Sequence, residues 1–193
     1  MIFEKNDIMK DYLYIDSSDD AHQSRFKVSD TPKIDHLIKE KQFTKALSEI
    51  DNSLKTDYNY TNLNLKGIVL QNLGRFDESL ECFDDALKLH ESPDIQLNKA
   101  NCLYGWAKVT FFPEADYEKA LRLIDCGIEN IPESEDPSEF YFLKAEILEA
   151  LNNLAESQKA YLIAYKEFDK LKELENQIEY LNNTSDTLII ITG

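Results

Sequence analysis

Residues 73–87 read "LGRFDESLECFDDAL". Phe76 and Phe83 stand seven residues apart, two turns of a helix, so both fall on one face. Ser79 and Ala86 lie on that same stripe, also seven apart, where larger apolar side chains would bury more surface. Small residues inside an apolar stripe mark a close approach by another helix, with the neighbouring aromatics filling the space on either side. The pattern returns as "ADYEKALRLIDCGI" at 115–128 and as "NLAESQKAYLIAY" at 153–165. Self-similarity of this kind belongs to stacked units, each too thin to bury its own apolar face alone.

Working outward, each of these segments follows another helical segment in which a small residue comes after a lysine: Lys66-Gly67, Lys99-Ala100 and Lys144-Ala145. The second helices then carry Ser79 and Ala86, Ala120 and Gly127, and Ser157 and Ala164. A weaker unit starts at Pro32 and places Phe43, Ala46 and Ser53 in the corresponding positions. Gly and Pro are scarce, five of each, as long helices joined by brief turns require. Thr31-Pro32, Ser92-Pro93 and Asp136-Pro137 each set a capping residue before a proline, which predicts three helix starts. Ala120 follows Ala100 by 20 residues where the other units show 12, so the third hairpin carries eight extra residues, within "GWAKVTFFPEADY". Trp106, Val109, Phe111 and Phe112 make that insert apolar. It reads either as a lengthened first helix packed on the next hairpin or as a projecting knob that touches a partner.

These residues resemble the tetratricopeptide repeat, a helical hairpin of roughly 34 residues marked by a Leu-Gly pair, an Ala, an aromatic and a closing Pro. The best copy matches at Gly67, Gly74, Phe76, Phe83 and Ala86, with Ser79 in place of the usual Ala; the third matches at Tyr117, Ala120 and Pro132, with Ile124 for an aromatic. The fourth supplies Ala145, Tyr161 and Ala164, while Asn152 and Leu154 replace the usual Gly and aromatic, and in the first Ile34 takes the small position. The resemblance covers about 31–171 and implies an all-α, right-handed α-solenoid of about four hairpins (31–59, 60–92, 93–134 and 137–171). Residues 1–30 are an N-terminal extension, read as partly disordered or as a short leading helix. Residues 172–193 hold the end of an amphipathic capping helix, with Leu174, Ile178 and Leu181 continuing the spacing of Phe168 and Leu171, and an aliphatic tail.

The resemblance further implies that first helices line a concave groove, the surface that holds peptides in this family. The lining candidates are Asn64, Ile68, Gln71 and Asn72, then Leu97, Asn101 and Tyr104, then Phe142, Glu146 and Glu149. Amides at Asn64 and Asn101 suit the backbone of an extended peptide. One subset of the family clamps a C-terminal carboxylate with Lys and Arg; Glu146 and Glu149 argue against that ligand here, and Lys66, Lys99 and Lys144 read as a solvated flank beside the small residues. The expected ligand is a polar or basic protein segment.

Composition sets the exclusions. With 37 acidic against 21 basic residues the net charge is −16, which repels a phosphate backbone and an anionic membrane surface alike. No apolar run reaches the roughly 18–20 residues of a membrane span. The start, "MIFEKNDIMKDYLYID", sets Glu4, Asp7 and Asp11 where a signal peptide would be apolar, so a cytoplasmic location is expected. Cys82, Cys102 and Cys126 lack metal or disulfide spacing and read as small buried hydrophobes, and the three histidines are scattered. Neither "DD" at 84–85 nor "ESED" at 133–136 has a matched nucleophile, and no phosphate loop is present, so no catalytic residue, cofactor or metal is expected. The tail "DTLIIITG" is β-prone and aggregation-prone if bare. Leu188, Ile189, Ile190 and Ile191 therefore motivate a second reading beside the adaptor: an oligomeric scaffold that self-assembles through its ends or this tail.

Overall fold

The structure, a computed structural model, describes residues 32–166 and, beyond them, residues 172, 174 and 176–178. Eight helices occur in residues 32–166: α1 (Pro32–Lys39), α2 (Phe43–Thr56), α3 (Tyr60–Asn72), α4 (Phe76–Leu89), α5 (Pro93–Phe111), α6 (Tyr117–Glu129), α7 (Ser138–Ala150) and α8 (Leu154–Ala164). No strand is present among the described residues. The chain divides into two compact units, one ending at Glu135 and one beginning at Asp136. In the first, each helix from α1 to α6 packs on the next in chain order, and α3 also meets α5; in the second, α7 packs on α8.

The residue pattern explains this order. Helices α2, α4 and α6 bury a single stripe, respectively Ala46 and Ile50; Phe76, Ser79, Phe83 and Ala86; and Ala120, Ile124 and Gly127. Helix α3 instead buries Leu63, Leu65, Gly67, Val69 and Leu70 around most of its circumference, because it meets α2, α4 and α5 at once. Ile34, Ala46, Ile50, Leu65 and Val69 form one core cluster, and Leu63, Phe76, Phe83, Ala86, Ile95 and Cys102 belong to the next. The half-buried Leu54 packs against both.

The small residues do what the opening stretch requires. A methyl group on Gly67 would lie 2.6 Å from Phe83 Cε1, so the fully buried ring occupies the space that a side chain at 67 would need. Burying that ring contributes about 1.5–3 kcal/mol. Ser79 Oγ donates to the Gly67 carbonyl at 2.7 Å, and Ser157 Oγ donates to the Ala145 carbonyl at 3.0 Å. Serine in place of alanine thus adds a hydrogen bond across the helix pair at no cost in volume. Where Gly67 becomes Ile34, its counterpart in the first hairpin, Phe83 becomes Ile50, and the two isoleucines share a cluster.

A second repeated device lies in the turns. Lys41, Gly74, Ala115 and Asn152 each precede the small second-helix residue by five positions, and all four have positive φ, between 55° and 72°. In three of the hairpins the turn is closed by the same two bonds. Gly74 N donates to Gln71 O and Arg75 N to Leu70 O; Lys41 and Gln42, and Asn152 and Asn153, repeat the arrangement. This is the Schellman closure of a helix C-terminus, which requires a left-handed residue. Only Gly74 meets the requirement without steric cost, while asparagine tolerates it better than lysine or alanine.

The eight-residue insert largely lengthens α5, which has 19 residues against 13 in α3 and in α7. Its apolar residues are mostly packed: Trp106 stacks on Phe76 with centroids 5.8 Å apart, Phe111 tilts against Tyr117 at 5.7 Å, and Val109 is buried. Phe112 alone among the four is exposed, at 52%.

Some sequence expectations need correction. Helix α5 starts at Pro93, but the Ser92 side chain makes no capping bond. Helix α7 starts one residue after Pro137, and Asp136 Oδ1 accepts from Ser138 N and Ser138 Oγ. Of the three thiols, all free, Cys102 is buried, Cys82 is half-buried and Cys126 is exposed, because position 126 falls outside the α6 stripe. Thr31 and the segments 1–30 and 179–193 lie outside the described residues, as do Phe168 and Leu171; in the amphipathic segment Leu174 and Ile178 are half-buried.

Candidate functional site

The lining candidates on α3 and α5 come together, because these first helices touch. Asn64 Oδ1 accepts from Asn98 Nδ2 at 3.0 Å, and Gln71 Nε2 donates to the Asn101 backbone carbonyl at 3.4 Å. Three of the seven are turned inward or tied down. Gln71 is only 8% exposed, Asn72 Nδ2 donates to Ile68 O in its own helix, and Ile68 packs against the core. Asn64, Leu97, Asn101 and Tyr104 remain half-exposed. The Asn101 side-chain amide makes no bond to any described residue, and the Asn64 Nδ2 donors are likewise open. Lys108 Nζ lies 5.4 Å from the centre of the Tyr104 ring.

Asn98 was outside the sequence-derived set, since it falls off the lining face on a helical wheel. The register set by Gly67 and Ala100 is thirty-three residues, which aligns Asn64 with Leu97 rather than with Asn98, so the sequence pattern did not point to it.

The candidates on α7 occupy a different chemical setting in the second unit. Phe142 is 39% exposed and meets two rings of α8 and its C-cap edge-on, Tyr161 at 5.5 Å and Tyr165 at 6.3 Å. Tyr161 and Tyr165 lie nearly parallel, 6.3 Å apart. The Tyr161 hydroxyl donates to Glu149 Oε2 at 3.2 Å. Burial first, then this bond and the neighbouring Glu149 and Glu146 charges, push the Tyr161 hydroxyl above its ordinary value. Glu146 and Glu149 meet no cation among the described residues, whereas Lys159 pairs with Glu156 and Lys166 with Asp136.

Two of the three aligned lysines, Lys66 and Lys99, prove to have a structural task. Lys66 Nζ lies 2.8 Å from Asp51, and Lys99 Nζ lies 2.7 Å from Asp84, each ion pair joining a first helix to the second helix of the preceding hairpin. They are not a solvated flank: Lys66 and Lys99 side chains are 28% and 22% exposed. The Asp51 hydrogen bond raises the Lys66 ammonium above its usual range. With their carboxylates nearly half-exposed, such pairs contribute below about 1 kcal/mol each, so their value lies in fixing register. Near the first pair a cleft of about 560 Å³ opens between α2 and α4, lined by Leu54, Leu63, Glu81 and Cys82. Burial pushes the Cys82 thiol to about 11, which leaves it protonated and unreactive at neutral pH.

Among the described residues no group of three His, Cys, Asp or Glu side chains gathers as metal ligands, and no helix is long and apolar enough to cross a membrane. Leu188, Ile189, Ile190 and Ile191 lie outside the described residues. Compared with protein-family models and with curated proteins, the chain matches none.

Proposed function

We propose that this chain is a non-catalytic adaptor, built from tetratricopeptide-type hairpins that stack in a right-handed sense within the first unit, and that it binds a polar or basic protein segment on its first-helix faces. The repeated hairpin skeleton supports the repeat assignment: a small residue under an aromatic, a serine bonded to the facing carbonyl, and a left-handed residue at the same place in every turn. The observation that carries the binding role is the amide patch on α3 and α5, where the open Asn64 donors and the free Asn101 amide stand on touching helices. Such groups bond peptide N–H and C=O groups without regard to side-chain sequence. On α7 the carboxylates of Glu146 and Glu149 favour positive charge in the ligand. The net charge of −16 disfavours nucleic acid and speeds encounter with basic partners.

The test is a pull-down from native lysate with the intact chain beside an Asn64→Ala, Asn101→Ala variant and a Glu146→Lys, Glu149→Lys variant of equal helical content. The expected outcome is a defined partner lost from both variants. Equal retention by intact chain and variants refutes the assignment of these faces.

A further inference from the structure

The second unit sets exposed aromatic rings beside carboxylates that meet no cation among the described residues. At two other rings this chain supplies its own positive charge, Lys119 Nζ at 4.7 Å from the Trp106 centroid and Lys108 Nζ at 5.4 Å from that of Tyr104. No cation of a described residue stands over Phe142, Tyr161 or Tyr165. Tyr165 is 63% exposed, and its ring is nearly parallel to that of Tyr161. Phe142, Glu146 and Glu149 succeed one another at helical spacings of four and three residues, so this ring and the two carboxylates share one face of α7, with Tyr161 against both Phe142 and Glu149 and Tyr165 against Phe142. Glu149 still has one oxygen free after accepting from Tyr161, and Glu146 has both.

From this we infer that the α7–α8 face is a docking place for an arginine side chain of a partner protein, with the planar guanidinium laid on Tyr165 and its N–H fork turned to Glu146 and Glu149. The inference rests on the adaptor reading and sharpens its ligand. Arginine fits better than lysine, because a guanidinium stacks on an aromatic plane while presenting several donors at its edge. Lysine offers a compact, strongly hydrated charge that answers only the carboxylates. The face is charge-complementary to such a segment, and stacking on a ring adds selectivity that bulk acidity alone does not provide.

The probes are two short end-blocked peptides, one carrying arginines spaced by glycine and serine and the other its lysine counterpart, titrated by fluorescence anisotropy into the full chain at physiological salt. The arginine peptide is expected to bind several-fold tighter than the lysine peptide. Tyr165→Leu, which keeps an apolar side chain at this exposed position, is expected to weaken the arginine peptide by about five- to tenfold and to erase the preference. Glu146→Gln with Glu149→Gln weakens both peptides. Equal affinity for the two peptides, or an arginine affinity unchanged in Tyr165→Leu, overturns the inference. The Asn64→Ala, Asn101→Ala variant separates this result from the broader reading. If that variant keeps the lysate partner while Tyr165→Leu abolishes arginine selectivity, the amide patch is wrong and the arginine site stands. The converse pair of outcomes removes the arginine site alone.

Discussion

In hairpin α3–α4 Ser79 donates to the carbonyl of Gly67, twelve residues earlier, and in hairpin α7–α8 Ser157 does the same to Ala145. Both hairpins close their turn with the same pair of backbone bonds around a left-handed residue. Their outer faces have nothing in common. The first helix of one shows amides and aliphatics; that of the other shows a phenylalanine and two glutamates. The interior is dictated by how near two helices must come, whereas the exposed positions answer to no such constraint and are available for recognition. Within that shared interior one difference is also instructive: α3 has glycine under a buried Phe83, and α7 has alanine in the register of a half-buried Tyr161.

The sharpest way to break this comparison is to add volume at the small position. Gly67→Val is expected to lower stability by about 3 kcal/mol, since even a Cβ there meets the Phe83 ring at 2.6 Å and the ring is enclosed. Ala145→Val should cost less, about 1 kcal/mol, because Tyr161 is only half-buried and can move outward. Urea unfolding of the two variants checks this, and equal losses would mean that the aromatic's enclosure is not what separates the hairpins. A smaller effect comes from the turns. Gly74→Ala is expected to destabilise by about 1 kcal/mol, and Asn152→Gly to stabilise by about 0.5 kcal/mol, both read as shifts in melting temperature. Same-signed shifts would show that the two turns are not equivalent.

The smallest effect concerns pH and the start of the first helix, where the second hairpin has a carboxylate and the first an amide. Lys166 first, then the Ser138 hydroxyl and amide, hold the Asp136 carboxyl down to about 2 from its ordinary 3.8. A carboxyl depressed in the folded state supports that state above its unfolded value and loses this support as it protonates. The amide resonance of Ser138 should therefore shift, and the start of α7 loosen, as pH falls from 3.8 through about 2. Helix α3 begins on the uncharged Asn59, whose side chain accepts from Asn62 N at 2.8 Å, and should show no such transition. Asp136→Asn removes the difference, and a transition that survives it belongs to another group.

Much of this interior was legible in the residues. Alternating small and aromatic positions at seven-residue spacing announced two helices in close contact, and eight surplus residues announced a long α5. The left-handed turn residue was legible at Gly74 and at Asn152, whose types favour that conformation, and invisible at Lys41 and Ala115, whose types do not. The inter-hairpin pairing of Lys66 and Lys99 was missed because a lysine beside a small residue looks the same whether its end reaches water or an aspartate fifteen positions back. On the surface, the lining positions of α3 followed helical phase, but phase could not tell that Gln71 is buried against a neighbouring helix or that the Asn72 amide folds back onto a carbonyl of its own helix. The aromatic group on the second unit joins Phe142 to residues of α8 and its cap, a contact between helices that no single-helix reading contains.

The two lysine–aspartate pairs also bear on how such a chain can change over generations. Lys99 follows Lys66 by thirty-three residues and Asp84 follows Asp51 by the same interval, so the hairpin at 60–92 carries a matching half of the bond on each flank. Excision of those thirty-three residues would leave Lys99 facing Asp51, and duplication would offer one further pairing of the same kind. Each junction is interchangeable with the next, which makes the whole hairpin, rather than the single residue, a coin in which this chain can gain or lose length without relearning how its pieces join.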